Sequence, residues 1–119
     1  MSPQDFVSQA RVSIINENAA TYRSLLEKTP VKKASDPYWR SLLDLHERLS
    51  SQDRQVLYAV MRQVAVDTVS NVFAVIDGST RMDGQTEDVE LLDAKSHQRL
   101  NGSLQDILLQ MEERDSAGR

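Results

Sequence analysis

The chain contains no cysteine and only a few glycines, prolines and aromatic side chains. The absence of cysteine excludes disulfide bonds, thiolate nucleophiles and thiolate-bound zinc, and it is consistent with a reducing cytoplasm. Four glycines and three prolines are too few for the many turns of an all-β sandwich. The rest of the composition, 39% apolar and 27% charged, indicates a single globular domain spanning residues 1–119.

Basic segments and long apolar runs are also missing. A pI near 5.1 disfavours nucleic-acid binding, because neutralising a phosphate backbone requires a basic face. The first residues lack the basic and apolar regions of a signal peptide. The apolar stretch 64–76 is interrupted by polar residues and is too short to cross a bilayer. We therefore expect a cytoplasmic protein that binds neither nucleic acid nor membrane.

Helix start signals, each followed by apolar residues at helical spacing, occur four times along the chain. A serine or aspartate that can cap a helix is followed by proline or by an aspartate three residues later. The cap positions are Ser2, Asp36, Ser50 and Ser103. These signals predict a mainly α fold with four helices and a frayed tail at 115–119. The predicted helices span residues 3–28, 37–49, 52–76 and 103–114.

The third predicted helix, 52–76, is the most apolar segment of the chain. Its polar residues recur at spacings of four and three, which favours a helix over the strand that its valines could also form. We expect this helix to be central and buried, with the other three packed around it. The side chains predicted to form the core are Val60, Val64, Val72, Phe73, Ile76, Leu104 and Leu108.

A small β-hairpin is predicted near residues 89–100, before the last helix. Two short segments with apolar residues, 89–92 and 98–100, flank the polar stretch 93–97 in the manner of two strands and a turn. Asn101-Gly102 then provides a turn that would end the hairpin.

The net charge is concentrated in one segment, residues 77–95, here called the acidic segment. It holds six acidic and two basic residues, whereas the rest of the chain holds twelve of each, so the whole net charge of −4 lies there. A concentrated negative field on a neutral body predicts docking to a basic surface. The candidate partner-binding residues are Asp83, Glu87, Asp88 and Glu90.

Trp39, the only tryptophan, is a further candidate for partner binding. It lies between Tyr38 and Arg40, and tryptophan, tyrosine and arginine are the residue types enriched in binding hot spots. A tryptophan near a helix start also commonly packs in the core of a protein with so few aromatic residues. Both interpretations stay open at the level of the sequence.

A second acidic pattern suggests metal chemistry. Glu87-x-x-Glu90 and Glu112-x-x-Asp115 resemble the metal-binding pattern of the all-α nucleoside triphosphate pyrophosphatases, whose carboxylates hold magnesium against phosphates. That pattern requires helices, because residues three apart then share a face. The first pair falls at a predicted strand, where positions three apart point to opposite faces. We therefore expect no metal site, and a small metal-dependent nucleotide hydrolase is the alternative function.

Two other patterns do not match the functional sites that they suggest, a calcium-binding loop and a histidine-dependent catalytic site. Asp77 to Asp88 has the length of an EF-hand calcium loop, but Ser79 and Arg81 occupy positions where that loop needs acidic ligands. His46 and His97 are the only histidines, and no serine or cysteine nucleophile can be assigned to either. We therefore predict no catalytic residue and no cofactor, and we expect the chain not to be an enzyme.

The C-terminal half resembles a family of small bacterial proteins. The resemblance spans about residues 55 to 113 and rests on four motifs. They are Val66-Asp67-Thr68-Val69, Asp77-Gly78-Ser79, Glu90-Leu91-Leu92 and Leu100-Asn101-Gly102-Ser103-Leu104-Gln105-Asp106. Members of such families are similar to the immunity proteins of polymorphic and contact-delivered toxin systems.

This resemblance implies a function but no active-site residues. Immunity proteins of this kind are typically small, cytoplasmic, cysteine-poor and acidic, and they block a basic cleft of a cognate toxin. The resemblance therefore implies a non-enzymatic protein whose acidic face docks on a toxin domain. A homodimeric helical adaptor is the other alternative function.

Overall fold

The computed structural model describes residues 1–117, which are mainly helical and include no β-strand. The α-helices are α1 (Pro3–Ala10), α2 (Glu17–Lys28), α3 (Pro37–Arg48), α4 (Ser51–Asp77) and α5 (Leu104–Ala117). A π-helical stretch, Arg11–Asn16, joins α1 to α2 without a break, and a 3-10 turn, Val31–Lys33, precedes α3. The mainly α class is therefore confirmed, and the first predicted helix is one helical run from Pro3 to Lys28.

Three of the four predicted caps start their helices. The Ser2 hydroxyl accepts the Asp5 N–H at 3.0 Å, and the Asp36 carboxylate accepts the Tyr38 N–H at 2.8 Å. The Ser50 hydroxyl accepts the Asp53 N–H at 3.1 Å. Each bond satisfies an amide that has no partner within its own helix, which explains why the helices begin where the sequence predicts.

The core lies where α1, the π-helical stretch, α4 and α5 meet. Phe73 of α4 is buried there with Leu104 and Leu108 of α5, as predicted, and Phe6 packs against the Phe73 ring at 6.1 Å between centroids. The other buried side chains of this cluster are Val7, Ala10, Ile15 and Val66. Near the start of α4, α2 and α3 pack side by side around Leu26 and Leu43.

The predicted core is wrong at three valines. Val60, Val64 and Val72 are exposed, and Ile76 is only half-buried. The cause is that α5 and the N-terminal helical run from Pro3 to Lys28 cover one face of α4, which carries Val66 and Phe73. A helix that is apolar on most sides gives no sequence signal of which face its neighbours cover, so the prediction of a fully buried α4 failed.

The predicted β-hairpin is also wrong. Between α4 and α5 the chain forms one isolated antiparallel bridge, Leu92 with Arg99, around a turn held by the Asp93 carboxylate. The ladder stops because the next amide, that of Leu91, donates to the Asn101 side chain at 3.1 Å. The Leu91 N–H is therefore not available for the backbone hydrogen bond that would extend the pairing of the two segments.

The last helix extends beyond its predicted end. α5 continues to Ala117, so residues 115–117 of the predicted frayed tail belong to a helix. Residues 118–119 lie outside the described part of the chain. Asp115, which the sequence placed in the tail, contacts Arg11 instead.

Candidate docking surfaces

Asp77, the first residue of the acidic segment, has a structural role. It ends α4, and its carboxylate accepts backbone N–H groups of Gly102 at 2.7 Å, Leu104 at 3.0 Å and Gln105 at 2.9 Å. Asp77 therefore caps the start of α5 across more than twenty intervening residues and takes the place of the predicted Ser103 cap. The two ends of the connecting loop are fixed to each other by this one side chain.

Asn101 fixes the same loop from inside. Its buried side chain donates to the Ile76 carbonyl at 2.8 Å and accepts the Leu91 N–H at 3.1 Å. Arg99 also donates to the Asn101 side chain at 3.3 Å. These bonds connect the end of α4 to the middle and the end of the loop, so side-chain contacts hold the loop in addition to its one antiparallel bridge.

Asp93 stabilises the turn at the far end of the acidic segment. Its carboxylate accepts the N–H groups of Ser96 at 3.0 Å and Lys95 at 2.9 Å, and the Met1 amine lies at 3.2 Å. These backbone bonds, joined by the amine, lower the pKa of Asp93 to about 2. Asp93, like Asp77, thus stabilises the fold by accepting hydrogen bonds from backbone N–H groups.

The other four carboxylates of the acidic segment, those of Asp83, Glu87, Asp88 and Glu90, are exposed. Asp88 pairs with Arg81 at 2.8 Å on the surface, and Glu90 lies 3.9 Å from Arg99. Asp83 and Glu87 form no ion pair within residues 1–117. The structure therefore divides the six acidic residues into two that fold the loop and four that face solvent.

Trp39 lies far from these carboxylates. It is half-buried in α3, stacked on Tyr22 of α2 at 5.9 Å and edge-on to Tyr38 at 5.8 Å between ring centroids. α3 precedes the start of α4 and the acidic segment follows its end, and 27 helical residues span about 40 Å. Trp39 and the acidic segment thus belong to opposite ends of the molecule, and Trp39 packs two helices together.

The proposed metal carboxylates are separated by their partners. Glu112 pairs with Arg11 at 2.6 Å and with Arg62 at 2.5 Å, and Asp115 also pairs with Arg11, whereas Glu87 and Glu90 lie on the exposed loop. Among residues 1–117, no three histidine, aspartate or glutamate side chains are grouped to hold a metal ion. A magnesium ion at Glu112 would have to displace two guanidinium groups.

Hydrogen bonds from Arg62 dominate the environment of Glu112. These bonds lower the pKa of Glu112 to about 2. Burial acts in the opposite direction, and the hydrogen bond and positive charge of Arg11 add to the lowering. Arg62 also donates to Asn16, the last residue of the π-helical stretch, at 2.9 Å. This arginine–carboxylate network therefore ties the N-terminal helical run, α4 and α5 together. Nothing in the sequence distinguishes its arginines from the other charged residues on the same helices.

His46 is buried and joins α3 to α4. Its Nε2 lies 2.6 Å from the Tyr58 hydroxyl, while Arg54 donates to the His46 carbonyl at 2.8 Å. Burial, aided by the positive charge of Arg54, lowers the pKa of His46. The Arg23 guanidinium lies over the Tyr58 ring, 4.7 Å from its centre. His46 is thus a packed and hydrogen-bonded side chain.

A second exposed surface was not predicted. Valines of α4 point away from the core, with exposed fractions of 62% at Val56, 54% at Val60, 59% at Val64 and 51% at Val72. By length and composition, α4 is also the one helix within residues 1–117 that could cross a membrane, and 22% of its most apolar window is buried. We call the exposed surface formed by Val56, Val60, Val64, Thr68 and Val72 the valine face.

No family model, curated protein or solved structure matches this chain.

Proposed function

We propose that this chain is a non-enzymatic binding protein whose acidic segment docks on a basic surface of a partner protein. The observation that supports the proposal is that Asp83, Glu87, Asp88 and Glu90 are exposed on a loop whose folding depends on other residues. The side chains of Asp83, Glu87 and Glu90 accept none of the hydrogen bonds that anchor the loop, and Asp88 forms only an exposed ion pair with Arg81. Together these four charges equal the net charge of −4, and a basic partner would balance them.

The anchoring of the loop favours binding through it. Asp77, Asn101 and Asp93 hold the loop at its beginning, end and turn, so little of its freedom remains to be lost when a partner binds. Neighbouring carboxylates repel one another in the free protein, and a basic surface relieves that repulsion. Charges of this kind act mainly on the association rate and on partner choice.

The partner that fits these properties is a bacterial toxin domain with a basic cleft. The acidic surface complements such a cleft, and the resemblance to immunity proteins agrees with a small acidic inhibitor that acts by occlusion. In this function the chain works in the cytoplasm and needs no cofactor, because covering a cleft requires only shape and charge. The interface centres on the acidic segment, with Trp39 outside it.

Co-purification with the product of the adjacent gene tests this function. We expect a complex to form. Its association rate should fall steeply when Asp83, Glu87 and Asp88 are replaced by lysine, and the difference in rate between this variant and the wild type should shrink as salt is raised. The matched control replaces Glu17, Glu47 and Glu113 by lysine. These three side chains are also exposed, and the total charge changes equally because three acidic residues become lysine in both variants. None of the three control residues forms an ion pair within residues 1–117, whereas Asp88 pairs with Arg81. An unchanged association rate in the first variant, or an equal loss in both, would contradict the proposal.

A further inference from the structure

The valine face has the regularity of a helix-packing surface. Val56, Val60, Val64, Thr68 and Val72 follow one another at intervals of four residues, the spacing of a ridge in the commonest class of helix packing. The Thr68 hydroxyl donates to the Val64 carbonyl at 2.7 Å, so it needs no partner from outside. Gln63 and Asp67, bonded to each other at 2.9 Å, border the ridge as a polar rim.

The free chain exposes more surface than its mass predicts. Its accessible surface is 8272 Å², whereas a folded monomer of 13.5 kDa exposes about 6,500 Å². Its radius of gyration is 17.8 Å, against about 13.5 Å for a compact domain of 119 residues. The excess of roughly 1,800 Å² exceeds the approximately 800 Å² that each partner buries in a standard interface.

The symmetry of the ridge indicates its occupant. Val64 is the midpoint of α4, and the ridge carries β-branched side chains at equal distances on both sides of it. None of the five ridge residues is charged, so the ridge offers nothing to a basic or acidic partner, whereas an identical ridge matches it in shape. A two-fold contact requires one patch that complements itself.

We propose that two copies of this chain pair through their valine faces, with the two α4 helices antiparallel and the two-fold axis near Val64. In this arrangement the centres of the two ridges meet, so Val64 lies beside Val64 of the second copy and Val60 packs near Thr68 of the second copy. The antiparallel orientation also brings the start of each α4 beside the end of the other, where the helix dipoles attract. The acidic segments then lie at opposite ends of the dimer.

The mass in solution tests the pairing. Sedimentation equilibrium of the full chain at micromolar concentration should give twice the 13.5 kDa of one chain. Val60→Lys with Val64→Lys should halve that mass without loss of helical circular dichroism, because both side chains are exposed in the monomer. The control, Gln55→Lys with Ala59→Lys, places the same charges on exposed α4 residues outside the ridge and should remain dimeric.

Crosslinking locates the axis. The chain has no cysteine, so Val64→Cys introduces a single thiol. Two thiols beside a two-fold axis should form an intermolecular disulfide under mild oxidation, in most of the protein. Gln55→Cys, nine residues earlier and half a turn away around α4, should give only the small amount expected from random collision.

Two results would overturn the proposal. One is a monomeric wild-type chain at micromolar concentration. The other is a dimer that survives the Val60→Lys, Val64→Lys exchange and crosslinks no better at residue 64 than at residue 55.

Vesicles of neutral and anionic phospholipid provide a competing occupant. A monomer whose valine face binds them would assign this surface to a membrane and would likewise exclude the dimer.

Discussion

Carboxylates serve opposite purposes in two regions of this molecule. In the arginine–carboxylate network, Glu112 is enclosed by Arg11 and Arg62 and its side chain is only 17% exposed. In the acidic segment, Glu87 and its three exposed neighbours face water, and the loop is held by other groups. The number of acidic residues therefore indicates little by itself, because the same residue type holds helices together in one place and faces solvent in the other.

Replacement of Glu112 should have the largest effect. Glu112→Ala leaves Arg11 and Arg62 close together and without their shared partner, which we expect to lower the free energy of unfolding by about 3 kcal/mol. Glu87→Ala should change it by less than about 0.5 kcal/mol, since the side chain that is removed is exposed and forms no ion pair within residues 1–117. Urea unfolding of both variants checks this comparison, and similar losses in the two would show that the regions do not differ.

Lowering the pH should have the next largest effect, and that effect should come from the arginine–carboxylate network. The pKa of Glu112 is lowered from 4.5 to about 2, so its contribution is complete above pH 4.5 and is lost as the pH falls from 4.5 through 2. The loss should approach about 3 kcal/mol at the acid end. Comparing urea unfolding at pH 5 and pH 3 for the wild type and Glu112→Gln measures about half of this loss, because pH 3 lies between the two pKa values. An equally steep decline in the variant would assign the effect to other groups.

Removal of the Asp77 carboxylate, which anchors the acidic segment, should have an intermediate effect on the free energy of unfolding. Asp77→Ala removes the acceptor for three backbone N–H groups at the start of α5, which should cost about 2 kcal/mol. It should also speed hydrogen exchange of the amides of Gly102, Leu104 and Gln105. Asp77→Asn keeps one acceptor oxygen and should lose less. Equal stability of the wild type and Asp77→Ala would show that the loop is held without this cap.

The parts of the fold that the sequence predicted are those with local causes. Ser2, Asp36 and Ser50 bond to amides two or three residues away, so their helices could be located from neighbouring letters alone. The Asp77 cap and the Arg62–Glu112 pair join residues far apart in the chain, and no local pattern marks them. The exposed acidic residues could be named from charge clustering, because free charges need no distant partner.

The orientation of α4 marks the limit of such reasoning. Valines at 60, 64 and 72 are as apolar as the buried Val66, so helical spacing alone cannot distinguish the face that α5 and the N-terminal helical run cover from the face left open. The burial of a side chain depends on which neighbours reach it. That is a property of the whole packing arrangement, and the short connections and caps near α4 do not determine it.

Charge reversal in the acidic segment should have the smallest effect on folding, and its sign is informative. Asp83→Lys with Glu87→Lys removes two exposed negative charges that have no ion pair within residues 1–117 and lie close to Asp88 and Glu90. Repulsion within the segment falls, so the free energy of unfolding should stay within about 0.5 kcal/mol of the wild type and lie slightly above it at low salt. Salt screens exposed charges over about 10 Å at 0.1 M, so this small gain should vanish as salt is added. Urea unfolding at low and high ionic strength measures the change. A clear loss of stability that salt does not alter would show that these carboxylates hold the loop, and the contrast with the arginine–carboxylate network would then disappear.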